Sequence, residues 1–369
     1  MPNQFKRVAY KQMQDFWQNY SSVIQNMPHS LSSITGNDIF LSTPLEGYDT
    51  IESSNSIIPL SQLAFIAVQG QDATKFLQGQ FTCHFPETPD SKLLLGAHCS
   101  TKGKIQNFFR ILYCSWLEEA GYLLIFHIST LEETTKRLNK YSLFSKVKIV
   151  NKTNDFAAFV MYGNEAEQLI SKQLSVTNLS INDSTSIDTN HATVIRLRGD
   201  KPRYLCFAAQ SNLPSLWNKC KEAFKENNSY FWDLLEIRAG IPTIYQTTVD
   251  QFFPHHLNLP TLNAVSFEKG CYLGQEVIAR MQYRGKVNKH LHRALIEGCE
   301  RLPQPGEEIV HIESETSTHP VGTVVSASYT RPENCELLII IKDDYQNFEN
   351  LFLKSEGAPK LHHLNLTYS

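Results

Sequence analysis

Residues 268–285 of this chain read EKGCYLGQEVIARMQYRG and combine a thiol, glycines and cations with an apolar, helix-like run. Gly270 and Gly274 flank Cys271 and have no Cβ, which permits close approach of the backbone to a ligand. The stretch is interpreted either as a reactive thiol site or as an inert cysteine at the start of a helix. Most cysteines are buried and structural, so Cys271 considered alone favours the inert interpretation.

A helix is predicted to begin near Leu273, directly after the cysteine. The free N–H groups and the dipole at the start of that helix would point toward Cys271. Lys269 lies two residues before the thiol and adds a cation. Both features favour the thiolate, which is the reactive form of cysteine. They are the physical argument for a reactive site.

The polar residues of the predicted helix have two alternative roles. Gln275 and Glu276 are either ligands for a planar heterocycle or surface residues, and Glu276 has the i,i+4 spacing of a weak ion pair with Arg280. Residues 277–296 contain no acid and form a basic strip. The strip either contacts carboxylates or phosphates or is a solvated surface; its cations are Arg280, Arg284, Lys286, Lys289 and Arg293.

The composition is that of an ordinary globular protein. The chain has 369 residues, 41% of them hydrophobic and 19% charged, with a formal net charge of −3. This length exceeds the usual size of one domain, and the charge provides no overall attraction to nucleic acid or anionic membranes. The eight cysteines show no CxxC spacing and no Cys/His quartet. We therefore predict no metal site and mostly reduced thiols in the core.

The distribution of apolar residues predicts a protein without a membrane span. No stretch reaches the roughly 18 apolar residues that a span needs, and a cytoplasmic location is expected. The N-terminal residues carry an apolar face and are interpreted as a helix packed on the body rather than an organelle presequence. Residues 29–56 are rich in Ser, Thr, Asn and Gly and predict an irregular connection.

The order of predicted elements indicates an α+β protein. Strands and helices that alternate from Phe156 onward are typical of a ferredoxin-like unit. Short β-rich segments near the C-terminus predict an antiparallel barrel. Residues 241–268 show no regular period, and a loop of this length in a compact protein is usually functional or disordered. Its four aromatic residues favour an ordered loop.

The motif KGCYLGQEVIAR resembles the signature of the YgfZ family of folate-binding proteins. That family is a branch of the glycine-cleavage T-protein superfamily (GcvT, aminomethyltransferase). Further similarity follows in the same order along the chain, in GQDATKFLQGQFT, AHCSTKGK, NKYSLFSKVKI and WDLLEIRAGIP. The resemblance covers roughly residues 57–369 and leaves the first 56 residues unassigned.

The resemblance implies a three-domain GcvT/YgfZ-like ring around a central tetrahydrofolate site. The expected units are an N-terminal helix and irregular extension (1–56), a discontinuous folate-binding domain (57–150 and 230–292), a ferredoxin-like domain (151–229) and a C-terminal β-barrel (293–369). Proteins of this family support the synthesis or repair of iron–sulfur clusters and thereby affect tRNA modification. The expected partners are accordingly iron–sulfur enzymes or assembly proteins, and the expected cofactor is tetrahydrofolate or a one-carbon derivative.

The resemblance also implies roles for individual residues. Cys271 corresponds to the functional thiol, and Trp232 matches an aromatic position expected to contact the folate. The remaining residues expected at the folate site are Glu236, Arg238, Lys269, Gly270, Tyr272, Gly274, Gln275, Glu276 and Arg280.

The chain departs from the family pattern in its predicted folate pocket. A second tryptophan expected in the first strand is Leu63, and the acidic residue expected two positions before Gly240 is Arg238, which leaves Glu236 as the nearest carboxylate. Ser100 replaces the aspartate of the AHCDxKGK turn. These changes make one wall of the pocket aliphatic and alter its charge.

Three functional hypotheses follow. The first is a monomeric, folate-dependent accessory protein for iron–sulfur enzymes, in which Cys271 acts as a redox or carrier thiol. The second is a one-carbon transferase of the aminomethyltransferase type. It is disfavoured because Asn107 and Phe108 occupy the positions where a carboxylate is expected, and neither exchanges protons as a carboxylate does. The third is a tRNA-binding module that uses the basic strip, although direct tRNA contact is not the favoured expectation.

Overall fold

A computed structural model describes residues 17, 32–35, 38–41, 54–187, 192–228, 230–314, 317–331, 333–355, 357 and 359–366. Most of the predicted N-terminal helix lies outside these residues. Trp17, the described member, is helical and buried; its indole Nε1 donates to the carbonyl of Leu60 at 3.1 Å, and its ring packs edge-on against Trp217. This residue is therefore attached to the body of the protein.

The predicted irregular connection at residues 29–56 contains two strands instead. Strands β1 (Ser32–Thr35) and β2 (Asp38–Leu41) pair antiparallel, with Ser32 opposite Leu41. In the sequence, the strands are separated by Gly36-Asn37, a dipeptide that favours two-residue hairpin turns. The irregular assignment was wrong here because this turn signal outweighs the weak periodicity of the flanking residues.

The first large sheet is antiparallel and five-stranded, in the order β5-β6-β7-β4-β8. Helices α1 and α2 and a short 3-10 turn (Ile128–Thr130) accompany it. The turn between β5 and β6 includes Ser100 and Gly103 and contacts the signature segment described below. The bounds are β4 Leu63–Gln69, α1 Ala73–Gln80, β5 Leu94–Cys99, β6 Ile105–Cys114, β7 Gly121–His127, α2 Leu131–Ser142 and β8 Lys148–Asn151.

The second sheet has the order β10-β11-β12-β9-β3-β13. If β10 and β3 are left out, the remaining strands and their two helices follow one another as β9-α3-β11-β12-α4-β13. This β-α-β-β-α-β order is that of a ferredoxin-like unit. Strand β3 precedes the first sheet in sequence but belongs to this second sheet, where it lies between β9 and β13 and pairs with both. The bounds are β3 Ser56–Leu60, β9 Phe156–Tyr162, α3 Ala166–Leu174, β10 Ser184–Ile187, β11 Ala192–Leu197, β12 Arg203–Ala209, α4 Leu213–Lys221 and β13 Lys225–Glu226.

The third sheet is antiparallel, with the order β18-β15-β16-β17-β14-β19. Phe352 lies in the edge strand β18, and Lys360 directly precedes the other edge strand, β19. A β-bridge between these two residues closes the sheet on itself. The predicted C-terminal antiparallel barrel is confirmed. A 3-10 turn at Asp343–Tyr345 follows β17. The bounds are β14 Lys289–Ile296, β15 Glu308–Ser314, β16 Ser317–Arg331, β17 Asn334–Lys342, β18 Leu351–Leu353 and β19 Leu361–Leu364.

Helix α5 (Phe231–Arg238) lies where the three large sheets meet. Its side chains Phe231, Trp232, Leu234 and Leu235 belong to one core that includes Phe65 of the first sheet, Phe207 of the second and Leu337 of the third. A helix that is apolar on nearly every side is expected to be buried in this way. Each sheet therefore contributes a surface against α5, and the overall α+β class is confirmed.

Residues 241–268 connect α5 to helix α6 (Gln275–Tyr283) and form an ordered segment with 3-10 turns at Gln246–Thr248 and Pro254–Leu257. Several of its aliphatic and aromatic side chains are buried between the first sheet and the barrel. Among the described residues, no helix combines the length and the apolar character needed to cross a membrane.

Candidate functional site

A cavity lies beside helix α5. Trp232 and Glu236 are four residues apart, so they share one face of the helix, and both are buried. The cavity has a volume of about 30 Å³. Its walls come from strands β4, β6 and β7, from α5 and from the segment that follows it: Leu63, Phe108, Phe109, Arg110, Ile125, Phe126, His127, Trp232, Glu236, Pro242, Thr243 and Ile244.

The carboxylate of Glu236 is held by two guanidinium groups. Nη2 of Arg110 donates to Oε1 and Oε2 at 2.8 and 2.7 Å, and Nη1 of Arg203 lies 2.9 Å from Oε1. Arg203 is fully buried, and its Nε donates to the carbonyl of Arg198. Burying these charges is costly, so the mutual attraction within the cluster is required to hold them.

Both guanidinium groups also lie against the indole of Trp232. The guanidinium carbon of Arg110 is 5.0 Å from the ring centroid, and that of Arg203 is 5.6 Å away. Contacts of this length are favourable cation–π interactions, and burial strengthens them. The tryptophan is therefore fixed by its charged neighbours as well as by the apolar core.

Arg238 lies on a different side of the same helix. Its Nη2 donates to Oε1 of Glu336 at 3.0 Å, and Nη2 of Arg293 pairs with Oε2 of the same carboxylate at 2.7 Å. Two residues of helix correspond to a rotation of about 200°, which directs Arg238 away from the face of Glu236. The residue expected at the folate site thus joins α5 to the barrel and does not line the cavity.

Lys269 attaches the signature segment to the residues that directly follow helix α1. Its buried ammonium donates to the carbonyls of Phe81 at 2.7 Å and Cys83 at 2.6 Å. Burial lowers the pKa of Lys269 to about 8. Because its donors are used on these carbonyls, we assign Lys269 the positioning of the loop rather than direct activation of the thiol.

Gly274 permits close contact between the signature segment and the β5–β6 turn. Its φ is +82°, and an added Cβ would lie 2.5 Å from the carbonyl oxygen of Ser100 and 3.1 Å from Cα of Gly103. Helix α6 begins at Gln275, two residues later than predicted. The start near Leu273 was wrong because the left-handed conformation of Gly274 interrupts the helix before that point.

Cys271 and its neighbours have contrasting environments. Cys271 is exposed, whereas the other seven cysteines, all within the described residues, are buried. Tyr272, directly after it, is buried in the same apolar cluster as Phe108 and Ile237. The loop therefore has one anchored side, and the thiol lies on the accessible side.

The polar start of α6 faces solvent. Glu276 and Arg280 form an ion pair at 3.0 Å, and both side chains are exposed, whereas Gln275 is half-buried. This arrangement matches the surface i,i+4 pair considered from the sequence. Nothing in the cavity beside α5 is contributed by these three residues.

Carboxylates from elsewhere in the chain reduce the charge of the basic strip. Arg280 pairs with Glu276, and Arg293 pairs with Glu336 in a partly buried contact. The strip contains no acid between residues 277 and 296, but the fold brings acids to it from outside that range. Arg284, Lys286 and Lys289 remain as its cations without an ion pair to a described acid. The electrostatic support for a tRNA-binding surface is correspondingly smaller.

Asp233 provides a prediction of pH dependence. Its Oδ1 is buried and has no hydrogen-bond partner in the part of the chain that the structure describes. Burial, assisted by the nearby Glu236, raises the pKa of Asp233 to about 7. Between pH 4 and 7 the folded state retains a proton that the unfolded state has lost, so this group reduces the free energy of unfolding as the pH rises.

We expect Asp233→Asn to remove this pH dependence. Urea unfolding measures the free energy of unfolding at pH 4.5 and at pH 7.5. From the lower to the higher pH, we expect this free energy to fall by roughly 1–3 kcal/mol more in the wild type than in the variant. An equal change in both proteins would contradict the raised pKa of Asp233.

The chain is similar over most of its length to curated proteins. It is 31% identical over 290 residues to a tRNA-modifying protein YgfZ from Colwellia psychrerythraea, which covers 78% of this chain and 86% of that protein. It is 28% identical over 314 residues to a tRNA-modifying protein YgfZ from Escherichia coli, with coverages of 85% and 93%. The chain belongs to the YgfZ family. No model of a protein family matches it.

The fold of this YgfZ-family chain is also that of a solved aminomethyltransferase. The glycine cleavage system aminomethyltransferase T from Bartonella henselae superimposes with a TM-score of 0.67 and 12% sequence identity, covering 87% of this chain and 88% of that protein. The predicted membership of the GcvT-like fold is confirmed.

In this YgfZ-family chain, Asn107 is one of the two residues at the place where a transferase carboxylate is expected, and both ends of its side-chain amide are hydrogen-bonded. Nδ2 of Asn107 donates to the hydroxyls of Thr130 at 2.9 Å and Thr134 at 2.8 Å, and its Oδ1 accepts from the backbone N–H of Phe108 at 2.8 Å. Phe108 is part of the cavity wall, and Asn107 is not.

Sequence reasoning on this YgfZ-family chain missed the two cations that bind Glu236, of which Arg110 lines the cavity. Arg110 interrupts an otherwise apolar stretch of β6, and Arg203 begins the apolar strand β12. An arginine in a strand that reads as buried is a usable signal, because such a charge requires a buried partner. His127, whose ring packs 4.6 Å from that of Tyr245, was also missed.

Proposed function

We propose that this YgfZ-family protein binds tetrahydrofolate, or a one-carbon derivative, beside α5 and assists the assembly or repair of iron–sulfur clusters. Through enzymes that contain such clusters it would contribute to tRNA modification, which agrees with the name carried by its relatives in Colwellia psychrerythraea and Escherichia coli. In this proposal Cys271 is the functional thiol, and the protein acts in the cytoplasm as a monomer.

The observation that carries the proposal is an indole combined with a guanidinium–carboxylate cluster in one buried cavity. Trp232 offers an apolar surface to a planar heterocycle. Glu236 has about four acceptor sites and contacts two arginines, which leaves capacity to accept an N–H group from a pterin edge. Arg110, a member of the cavity wall, places a guanidinium beside any bound carbonyl or carboxylate group.

The size of the cavity sets a condition on binding. About 30 Å³ is one tenth or less of a typical small-molecule pocket, which starts at about 300 Å³. Leu63, at the position where a second tryptophan is expected, contributes to this narrow wall. We therefore expect folate to bind with displacement of residues 242–244 and of the Phe108 ring. The affinity would be reduced by the free energy of that rearrangement.

The exposure of Cys271 supports a role after folate binding. An accessible thiolate is a nucleophile and a soft ligand for iron, whereas a buried thiol reacts only when the structure around it opens. The anchors of its loop, Lys269 and Gly274, hold the backbone on both sides of the thiol. A partner protein would reach Cys271 from solvent without unfolding that loop.

Calorimetric titration of tetrahydrofolate tests the binding site. We expect Trp232→Ala to weaken binding roughly tenfold or more through lost stacking, whereas Cys271→Ala binds like the wild type. Absence of heat with folded wild-type protein would overturn the folate proposal. Unchanged affinity of Trp232→Ala would instead move the site away from α5.

A cellular assay tests the thiol separately. In cells that lack the protein, we expect the wild type to restore the activity of an iron–sulfur enzyme and Cys271→Ala to restore less than one tenth of that gain. The matched control is Cys114→Ala, which removes a buried thiol. Full restoration by Cys271→Ala, with folate binding retained, would remove the thiol from the proposal and keep the folate site.

The transferase alternative is disfavoured by the bonding of Asn107. Its amide is occupied by two threonine hydroxyls and a backbone N–H, and it cannot transfer a proton as a carboxylate does. Detection of aminomethyl or methylene transfer to tetrahydrofolate by the purified protein would revive this alternative.

A further inference from the structure

Two buried thiols of the barrel lie in direct contact. Sγ of Cys335, the second residue of β17, is 2.9 Å from Sγ of Cys299, in the segment between β14 and β15. Both are free cysteines, separated by 36 residues in sequence. A disulfide bond has a length of about 2.05 Å, so the two sulfur atoms need to approach by less than about 1 Å to form one.

Backbone contacts hold these cysteines together. Ile296, at the end of β14, pairs with Cys335, and the chain then turns so that the backbone N–H of Cys299 donates to the carbonyl of Glu333. Cys335 precedes Glu336, whose carboxylate binds Arg238 of α5. The proximity of the thiols is therefore set by strand pairing and does not depend on side-chain rotation alone.

The hydrogen bonds distinguish the two sulfur atoms. The Cys335 thiol donates to Sγ of Cys299, and the Cys299 thiol donates to the carbonyl of Arg301. The bond from Cys335, with help from the Arg301 guanidinium, lowers the pKa of Cys299 despite its burial. The same bond and burial raise the pKa of Cys335. Cys299 is thus the better nucleophile of the pair.

We propose that Cys299 and Cys335 form an oxidation site at which a small disulfide, such as oxidised glutathione, converts the dithiol to an intramolecular disulfide. The Cys299 thiolate attacks one glutathione sulfur, the S–S bond breaks, and one reduced glutathione leaves with a proton. Sγ of Cys335 then loses its proton and attacks Sγ of Cys299, which releases the second reduced glutathione. In total the protein loses two protons and two electrons, and one oxidised glutathione gains them.

Access to the buried pair is available through the segment that carries Cys299. The neighbouring residues Glu297, Gly298, Glu300 and Arg301 are exposed. Local opening of an exposed segment requires far less free energy than global unfolding. Cys299 is therefore the sulfur that a small oxidant meets first, in agreement with its assignment as the nucleophile.

The disulfide would join the segment after β14 to the start of β17. The bond would close a loop between two cysteines that are 36 residues apart and would thereby restrict the unfolded chain. We expect the melting temperature to rise by roughly 5 °C or more. The cross-link would lie one residue from Glu336 and thus beside the ionic contact between the barrel and α5. Oxidation would stabilise this part of the barrel.

Thiol mapping of the full-length protein tests the proposal. Folded protein is equilibrated with graded mixtures of reduced and oxidised glutathione, quenched with acid, unfolded and alkylated, and then analysed by intact mass and peptide mapping. We expect two fewer alkylated thiols out of eight and a cross-linked peptide pair containing Cys299 and Cys335. Cys271→Ser is treated in parallel, since removing the exposed thiol eliminates glutathione adducts at that position.

The variants Cys299→Ser and Cys335→Ser complete the test. We expect both to lose the cross-link and the oxidation-dependent rise in melting temperature, while Cys271→Ser retains them. A stable glutathione adduct on Cys299 without the cross-link would overturn the proposal, as would eight alkylated thiols at every glutathione ratio. The mapping on wild-type protein decides the matter even if a serine variant fails to fold.

Discussion

Glu236→Gln is expected to lower the free energy of unfolding by roughly 3–5 kcal/mol. The substitution preserves the shape of the side chain and removes its charge. Arg203, fully buried, and Arg110, 12% exposed, would then lie close together without the carboxylate that bridges them. An uncompensated buried charge is among the few causes of destabilisation on this scale. Urea unfolding followed by circular dichroism measures the change.

Glu276→Gln is the matched control. Glu276, like Glu236, is a helical glutamate paired with an arginine at about 3 Å, but its side chain is 85% exposed and that of Arg280 is 70% exposed. The side chains of Arg203 and Glu236 are only 1% and 3% exposed. Since exposed pairs contribute about 0–1 kcal/mol, this variant should unfold almost like the wild type. Equal effects of the two substitutions would show that the α5 cluster is not a buried charge network.

Gly274→Ala is expected to destabilise the protein by roughly 2–4 kcal/mol and to disrupt the loop that carries Cys271. A left-handed conformation costs a residue with a Cβ about 1–2 kcal/mol. The added methyl group would also lie 2.5 Å from the carbonyl oxygen of Ser100, which must move. Because that carbonyl belongs to the β5–β6 turn, we expect the turn and the signature segment to separate.

Gly270→Ala provides the comparison on the other side of the same thiol. An added Cβ at Gly270 meets no atom within 4 Å, and its φ lies outside the left-handed range. We expect its unfolding free energy to stay within roughly 0.5 kcal/mol of the wild type. The rate at which Cys271 reacts with an aromatic disulfide reagent supplies a second readout. It should change several-fold in Gly274→Ala and remain unchanged in Gly270→Ala.

Equal stability and equal thiol reactivity in both glycine variants would contradict the proposed docking of the loop. If Gly274→Ala loses stability while the reactivity of Cys271 stays at the wild-type value, the contact with Ser100 supports the fold without positioning the thiol. The two readouts therefore separate a structural role of Gly274 from a role in presenting Cys271.

The predicted elements were most accurate where a periodic pattern was bounded by turn residues. The strands of the barrel and helix α2 follow from alternation and helical periodicity in short windows. The hairpin at β1 and β2 and the position of β3 were not predicted. Strand β3 precedes the first sheet in sequence but pairs with β9, about a hundred residues later. No local pattern specifies a partner at that separation.

The candidate site was predicted unevenly for a similar reason. The signature motif identified Cys271, and the family resemblance indicated Trp232 and Glu236, which the structure places together in the wall of the cavity. Sequence reasoning assigned Arg238 to the folate site, yet the fold pairs this residue with Glu336. It also missed Arg110 and Arg203, because the carboxylate that binds them lies 126 and 33 residues away along the chain. A buried charge is recognised from its partner, and here the partner lies on helix α5, outside the two sheets that carry the arginines.

Short-range information in this chain was sufficient for the α+β class, the reduced state expected of most thiols and the motif around Cys271. These properties depend on side-chain chemistry and on spacings of a few residues. Three contacts became apparent only in the folded chain: the pairing of Glu236 with two arginines, the hydrogen bonds of Lys269, and the contact between Cys299 and Cys335. Each joins groups that are close in space but distant in sequence, so its geometry depends on how the three large sheets pack around α5 and on how their strands pair.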